Sequence, residues 1–283
     1  MGNSAMVPFW LSWLCNTKLM QGVHNQTLIL ATGKAGCDKH TWRNFNVATH
    51  CLSSAANPLN SGGFRYGTLG YWTITLHRMQ HIEALLDIGI SVFVFEPDAV
   101  WVQNPLADAA LVDAGGDIRS LNDGGKKDGL GFGWLLLRPT KITKALFRQV
   151  INEYGADVNK HKHLPPSAKV EVKGEQAHFQ RLLREKENHS SFANISFSYF
   201  SPLRYVNGMW YKKDTYRKQV QAAGTPYVIN NNWLIGNDRK MSRAKQWGHW
   251  FVQNEKEGSC EDETKLKLQL DRMLKTTKTL KPP

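Results

Sequence analysis

Nowhere do these 283 residues contain an apolar run long enough to span a bilayer. The most apolar stretch, Met6 to Cys15, is too short and lacks the basic flank of a signal segment. Met6 also stands where an N-terminal acylation pattern needs Ser or Thr. Cysteine is scarce. Cys15, Cys37, Cys51 and Cys260 form no CxxC pair and no zinc-ligand spacing, which leaves up to two disulfides or buried thiols. Carboxylates are in short supply as well. Twenty-four Asp and Glu face thirty-six Lys and Arg, for a net charge of +12 that favours anionic partners. The basic residues are scattered, clustering only at Arg239–Lys245 and in the Lys-rich stretch from Lys265 to Lys281. With no zinc-finger, RRM or KH pattern, a small phosphate-bearing substrate explains the charge at least as well as nucleic acid. Internal repeats and long linkers are absent too.

What is abundant is aromatic: ten Trp, eight Tyr and twelve Phe. Most of these suit core packing, and a few could line a sugar-binding cleft. Three sequons begin at Asn25, Asn188 and Asn194 and would suit a lumenal glycoprotein.

Periodicity gives an alternating α/β order. Residues 6–20 read as a helix and 27–32 as a strand, while 40–52 fit either. Tyr71 to Gly89 reads as an amphipathic helix with Leu76, Met79, Leu85 and Leu86 on one face and Gly89 as its C-cap. Ile90–Phe95 then reads as a buried strand of a parallel sheet that stops at Glu96-Pro97-Asp98. Phe132 to Arg138 is a further strand, and Thr140 caps a helix from Lys141 to Tyr154. Residues 155–174 read as a loop, Glu175 to Glu187 as a helix, 195–200 as a strand, and Asn207-Gly208 as a turn. Residues 226–230 form a short strand, followed by a helix from Asp238 to Gln246. The polar stretches Ser53–Gly70 and Asn122–Gly131 read as loops.

Two acids at the carboxyl end of an apolar strand are costly unless solvated, paired or bound to a cation. Open α/β sheets bind ligands at that end. The neighbouring text sharpens the reading: Leu-x-Arg at 76–78, Leu85-Leu86 and Gly89, Glu96-Pro97-Asp98-Ala99-Val100-Trp101, then Asn104-Pro105-Leu106. Gly131-Phe132, Leu137 to Thr140, Glu175-Gln176 with Phe179, Asn207-Gly208, and Asn231-Asn232-Trp233 with Gly236, Lys240 and Arg243 follow in order.

Over about Trp10 to Phe251 this ordered set resembles the nucleotide-diphospho-sugar transferases, close to glycosyltransferase family 77. The resemblance implies a GT-A fold: a Rossmann-like α/β/α sandwich on a mixed, mostly parallel sheet, here without an evident first strand. It implies one domain over residues 1–260, with a basic tail, helical or flexible, at 261–283. The implied activity is metal-dependent, retaining transfer of a sugar from a nucleotide-diphosphate donor, a UDP-sugar, to a glycan or glycoprotein.

Asp98 would meet a Mn²⁺ or Mg²⁺ ion, with Glu96 at the ribose or at metal-bound water. Asn230, where the family has His, would offer a carbonyl oxygen to the metal. Lys240 and Arg243, at i and i+3, would stabilise the departing diphosphate, unless they form an ordinary surface patch. Glu175 and Gln176 would lie near the sugar or acceptor as the catalytic pair. The location implied is the Golgi lumen, through an anchor that this chain does not contain. The competing reading is a catalytically weakened binding protein on the same fold, suggested by Asn230 and the missing first strand. No nucleic-acid partner is expected.

Overall fold

The computed structural model describes residues 4–52, 64–112, 115–123, 129–255 and 257–275. The loop expected at 53–63, the centre of the 122–131 stretch and the Lys-rich tail beyond 275 lie outside the described residues. The helices are α1 Val7–Thr17, α2 Gly33–Cys37, α3 Lys39–Trp42, α4 Leu69–Asp87, α5 Ala109–Val112 and α6 Lys141–Asn159. They continue with α7 Glu175–Arg184, α8 Met209–Lys212, α9 Asp214–Ala222, α10 Asn237–Gln246 and α11 Glu263–Lys275. The strands are β1 Leu28–Ala31, β2 Ala48–Cys51, β3 Val92–Phe95, β4 Val100–Trp101, β5 Ile118–Asn122 and β6 Leu130–Leu137. After them come β7 Phe197–Tyr199, β8 Tyr205–Val206, β9 Val228–Ile229, β10 Val252–Asn254 and β11 Ser259–Cys260. Helices and strands alternate, as an α/β chain should. Among the described residues no helix is long and apolar enough to cross a membrane.

The chain divides into two compact units, each assembled from separate segments. The first comprises Met1–Ser54, Glu96–Ala114 and Ser201–Pro283, and the second Ala55–Phe95 and Gly115–Phe200. The span expected as one domain, 1–260, includes residues of both units, and residues 261–275 of the expected tail fall in the first.

In the second unit a four-stranded sheet of order β3-β6-β5-β7 carries the core. Leu76, Met79 and Leu86 of α4 pack with Leu146, Phe147, Val150 and Tyr154 of α6, Phe132 and Leu135 of β6, and Phe179 of α7. The Tyr154 hydroxyl, which would be costly in that core unpaired, donates to the Trp72 carbonyl at 2.8 Å. Helix α4 ends as its sequence predicts. Gly89 takes φ +87°, its N–H reaches the Leu86 carbonyl at 3.0 Å, and Ile90 N–H reaches the Leu85 carbonyl at 3.0 Å. This 6→1 and 5→2 pair is a Schellman motif, closed by the residue with least penalty at positive φ. Thr140 caps α6 as expected, its Oγ1 accepting from Thr143 N–H at 3.1 Å.

One expectation is corrected. β3 does not sit between parallel neighbours: its described partner is β6, antiparallel, with Val92 opposite Leu137 and Phe95 opposite Trp134. Its side chains are half-buried. Of the described ladders, β1–β2, β5–β7 and β8–β9 are parallel, whereas β3–β6, β5–β6, β4–β9 and β10–β11 are antiparallel. The sheets are mixed, without the parallel majority that was expected. A four-residue apolar run suits either pairing, so its sequence alone could not decide.

In the first unit, α1 is buried along its length from Phe9 to Thr17. Phe9, Trp10, Leu11, Trp13 and Leu14 are all buried, as befits a helix enclosed by its unit. Cys15 is bonded to Cys260 and Cys37 to Cys51, which settles the four cysteines as two disulfides.

Candidate functional site

Glu96-Pro97-Asp98 lies on the short turn leading into β4, with Ala99 N–H bonded to the Glu96 carbonyl at 3.2 Å. β4 is fixed from two sides. Its Val100 and Trp101 pair antiparallel with Ile229 and Val228 of β9. On the other side, the Asn16 amide clamps Trp101, donating from Nδ2 to its carbonyl at 2.9 Å and accepting its N–H at 2.8 Å. The Trp13 ring meets the Trp101 ring edge to face at 5.1 Å. A buried Asn near the end of α1 thereby sets the register of the strand that follows the acids. β9 in turn pairs in parallel with β8, and Asn230 N–H donates to the Val206 carbonyl at 2.7 Å. That places Asn230 beside the acid turn, 134 residues away in sequence.

Four of the expected residues converge here directly. Asp98 is buried, with 2% of its side chain exposed, and its Oδ2 lies 2.7 Å from Lys240 Nζ of α10. Burial opposes the lysine's charge, but the fields of Asp98 and then Glu96 outweigh it and raise its pKa above the ordinary value. Asn230 Nδ2 donates to Glu96 Oε2 at 3.3 Å. The Asn230 Oδ1 is buried and has no hydrogen-bond partner. An orphaned oxygen beside two carboxylates is the unusual feature of this cluster, since buried acceptors are nearly always satisfied.

Arg243, the fifth, is close by but committed elsewhere. Its Nε donates to Asn231 Oδ1 at 2.6 Å, and one Nη donates to the Asn231 and Asn232 carbonyls at 2.8 and 2.7 Å. Its guanidinium also lies 4.3 Å from the Tyr211 ring centre. Burial lowers its pKa from the usual arginine value. Behind it the Tyr211 hydroxyl meets His249 Nδ1 at 2.7 Å. Burial, and then the charge of Arg243, push His249 down to about 3, so the imidazole is neutral. Sequence reasoning did not single out Asn16, Tyr211 or His249. No local pattern marks them, because each acts on a residue distant in the chain.

Glu175 and Gln176 belong to the second unit, at the start of α7. Glu175 Oε1 accepts from Arg78 Nη2 at 2.8 Å, and that guanidinium lies over the Phe132 ring at 5.5 Å. Gln176 Oε1 accepts the Phe132 N–H at 3.1 Å. Both therefore tie α7 to α4 and β6. An acid in the first turn also suits the helix dipole.

Among the described residues no group of three His, Cys, Asp or Glu side chains gathers as a metal cage. The oxygens of Glu96, Asp98 and Asn230 nevertheless form an all-oxygen donor set of the kind a hard divalent cation takes, completed by phosphate and water. The unpartnered Asn230 Oδ1 is a buried acceptor of the kind such a cation would satisfy.

Known proteins are similar to this chain in sequence. The chain is 24% identical over 260 residues to UDP-D-xylose:L-fucose alpha-1,3-D-xylosyltransferase MGP4 of Arabidopsis thaliana, covering 87% of this chain and 67% of that one. It is 25% identical over 203 residues to UDP-D-xylose:L-fucose alpha-1,3-D-xylosyltransferase 1 of the same plant, covering 67% and 53%. The chain spans between about half and two-thirds of the length of these curated relatives. Among solved structures, the galactosyltransferase LgtC with donor and acceptor sugar analogs aligns at 12% identity, 86% and 93% coverage and a TM-score of 0.46. That likeness is too loose to argue from. The profile of the nucleotide-diphospho-sugar transferases matches residues 22–244, most of the sequence, and the chain belongs to that family.

Proposed function

We propose that this protein transfers a sugar from a nucleotide-diphosphate donor, a UDP-sugar, to a glycan or glycoprotein, with a divalent metal and with retention at the anomeric carbon. The observation that carries the reading is the cluster of half-buried Glu96, buried Asp98 and the orphaned Asn230 oxygen, closed by Lys240, in a chain of this family. The relatives' UDP-xylose chemistry makes xylose the donor sugar to try first, with fucose as acceptor.

Asp98, Glu96 and the Asn230 oxygen would hold Mn²⁺ or Mg²⁺, which when bound supplies charge neutralisation for a leaving diphosphate. Lys240 holds its proton firmly and offers a fixed positive charge to the same leaving group. Arg243 keeps the Asn231–Asn232 backbone in place beside that cluster. Glu175 and Gln176 are assigned to fixing the start of α7 within the second unit.

Two disulfides fit an oxidising compartment. The three sequon asparagines, Asn25, Asn188 and Asn194, are exposed and open to glycosylation. Both support a place in the Golgi lumen.

Calorimetry with UDP, with and without Mn²⁺, tests the reading directly. Binding that tightens with Mn²⁺ and is lost in Asp98→Asn supports it, and a chain indifferent to both sinks it. A second reading follows from the Asp98–Lys240 contact, in which the lysine already supplies the compensating cation. On that reading the chain binds nucleotide sugars without metal and without turnover, and UDP affinity indifferent to Mn²⁺ would favour it.

A further inference from the structure

We infer that Trp233 is a sugar-binding residue, whose indole takes the face of a pyranose ring; the inference rests on the nucleotide-sugar reading above. Among the described residues Trp233 is the one non-glycine with positive φ, at +61°. A bulky side chain in the left-handed region is strained and persists only where its surroundings over-determine it. Three contacts do so here. The Arg243 fork holds the carbonyls of Asn231 and Asn232, the two residues just before the strained one. The Asn231 amide donates to the Lys240 carbonyl at 3.0 Å, tying the turn to the helix that carries the Asp98 partner. Finally, Gly208 N–H donates to Asn232 Oδ1 at 2.5 Å.

That last approach is possible only for glycine. A Cβ on residue 208 would stand 2.5 Å from the Asn232 carbonyl oxygen and 2.7 Å from its Oδ1. Clamping from α10, from residue 208 and from Arg243 converges on one turn, which starts at Asn230 and ends at Gly236, itself at φ +96°. Asn230 and Lys240, the residues flanking the turn, touch Glu96 and Asp98 respectively. Strain maintained this firmly beside a binding cluster marks a side chain aimed for use.

The side chain has the right chemistry. It is half-buried, and Lys212 Nζ stands 5.5 Å from its ring centre. An indole presents an electron-rich face that the polarised C–H groups of a sugar ring meet favourably. The adjacent ammonium can donate to ring hydroxyls.

The ring can come from the donor or from the acceptor, and the test separates the two. Affinities for UDP, for UDP-xylose, and for methyl α-L-fucoside in the presence of UDP are measured on the parent protein, Trp233→Gly and Trp233→Phe. Glycine adopts φ +61° freely, so Trp233→Gly should melt no lower than the parent and bind UDP within about twofold. It should lose about tenfold, equivalent to about 1.4 kcal/mol, either for UDP-xylose or for the fucoside. The arm that falls identifies the ring, and Trp233→Phe should restore most of it. Parent-like affinity in both sugar arms overturns the inference while leaving the nucleotide-sugar reading intact. Loss of UDP binding together with a lower melting temperature makes Trp233 a structural residue and also overturns it. A parent protein that binds neither UDP nor either sugar defeats the functional reading, and this inference falls with it.

Discussion

Asp98 in the first unit and Glu175 in the second are both buried carboxylates set against a long basic side chain, Lys240 at 2.7 Å and Arg78 at 2.8 Å. Their surroundings differ. Arg78 also lies over Phe132, and the neighbouring Gln176 accepts that residue's backbone N–H, so polar groups around Glu175 lead back into the core of its own unit. Around Asp98 they do not: Asn230 keeps a buried oxygen without a partner, and Glu96 is only half-buried. Each network leaves a buried atom unpartnered, Arg78 Nε beside Glu175 and Asn230 Oδ1 beside Asp98, but only the second is an acceptor that a cation could take. The scaffolds differ in the same way. Both disulfides lie in the first unit, which has a polar site to hold, while the second rests on a continuous apolar core.

The contrast breaks first under reduction. Cys15–Cys260 closes 245 residues and Cys37–Cys51 closes 14. On the chain-entropy account these contribute about 5 and about 3 kcal/mol. Hydrogen exchange after mild reduction should show amides of the first unit losing protection while those around Phe147 and Leu135 keep theirs. Equal loss in both would mean that the units do not differ in what secures them.

Next in size is the acid itself. Asp98→Asn removes the charge and keeps the shape, so transfer should fall by at least about 100-fold, or about 2.7 kcal/mol. The melting temperature should change far less than after reduction. Turnover within tenfold of the parent would remove Asp98 from the active centre.

Acid should also separate the units. His249 is neutral in the fold, with its pKa near 3 against an ordinary 6.5. Between those values the unfolded chain binds a proton that the folded chain does not, so stability falls as pH drops, by up to about 1.4 kcal/mol per pH unit. In the second unit, burial opposes the Glu153 charge, but hydrogen bonds from Gln149, Arg181 and His178 outweigh it and lower its pKa. The Lys160 ammonium does the same for Asp157. Their contribution is complete above the ordinary carboxylate values of 4.5 and 3.8 and disappears only below them. The first unit should therefore lose exchange protection from about pH 6.5 downward, the second only below about pH 4.5. Replacing His249 by Gln should flatten the first slope and leave the second.

Much of this was written locally. The α4 helix with Gly89, the Thr140 cap and the acid turn after Phe95 all depend on residues within one or two turns of each other, where spacing and capping preferences apply directly. The pairing direction of β3 was not legible, because a half-buried apolar run of four residues suits either orientation. The Asn16–Trp101 clamp joins residues 85 apart, and the His249–Tyr211 contact spans 38, with nothing in either neighbourhood to announce it. Arg243 shows the intermediate case. Its spacing from Lys240 was informative, yet only the fold reveals that its fork is occupied by the Asn231–Asn232 backbone.

Glu175→Gln should have the smallest effect and sharpens the comparison most. The amide keeps the shape and a hydrogen bond to Arg78 but removes the ion pair, at a cost of about 1 kcal/mol for a partly exposed partner. If the Glu175 network is structural, the melting temperature falls slightly and donor and acceptor KM stay put, with kcat within a few-fold. If Glu175 instead meets the reacting sugar, kcat falls about 100-fold with the fold unchanged, as a group lost from the transition state would require. In that event the Glu175 network does more than hold α7, and the distinction between a structural acid and a binding acid must rest on Asn230's unpartnered acceptor oxygen alone.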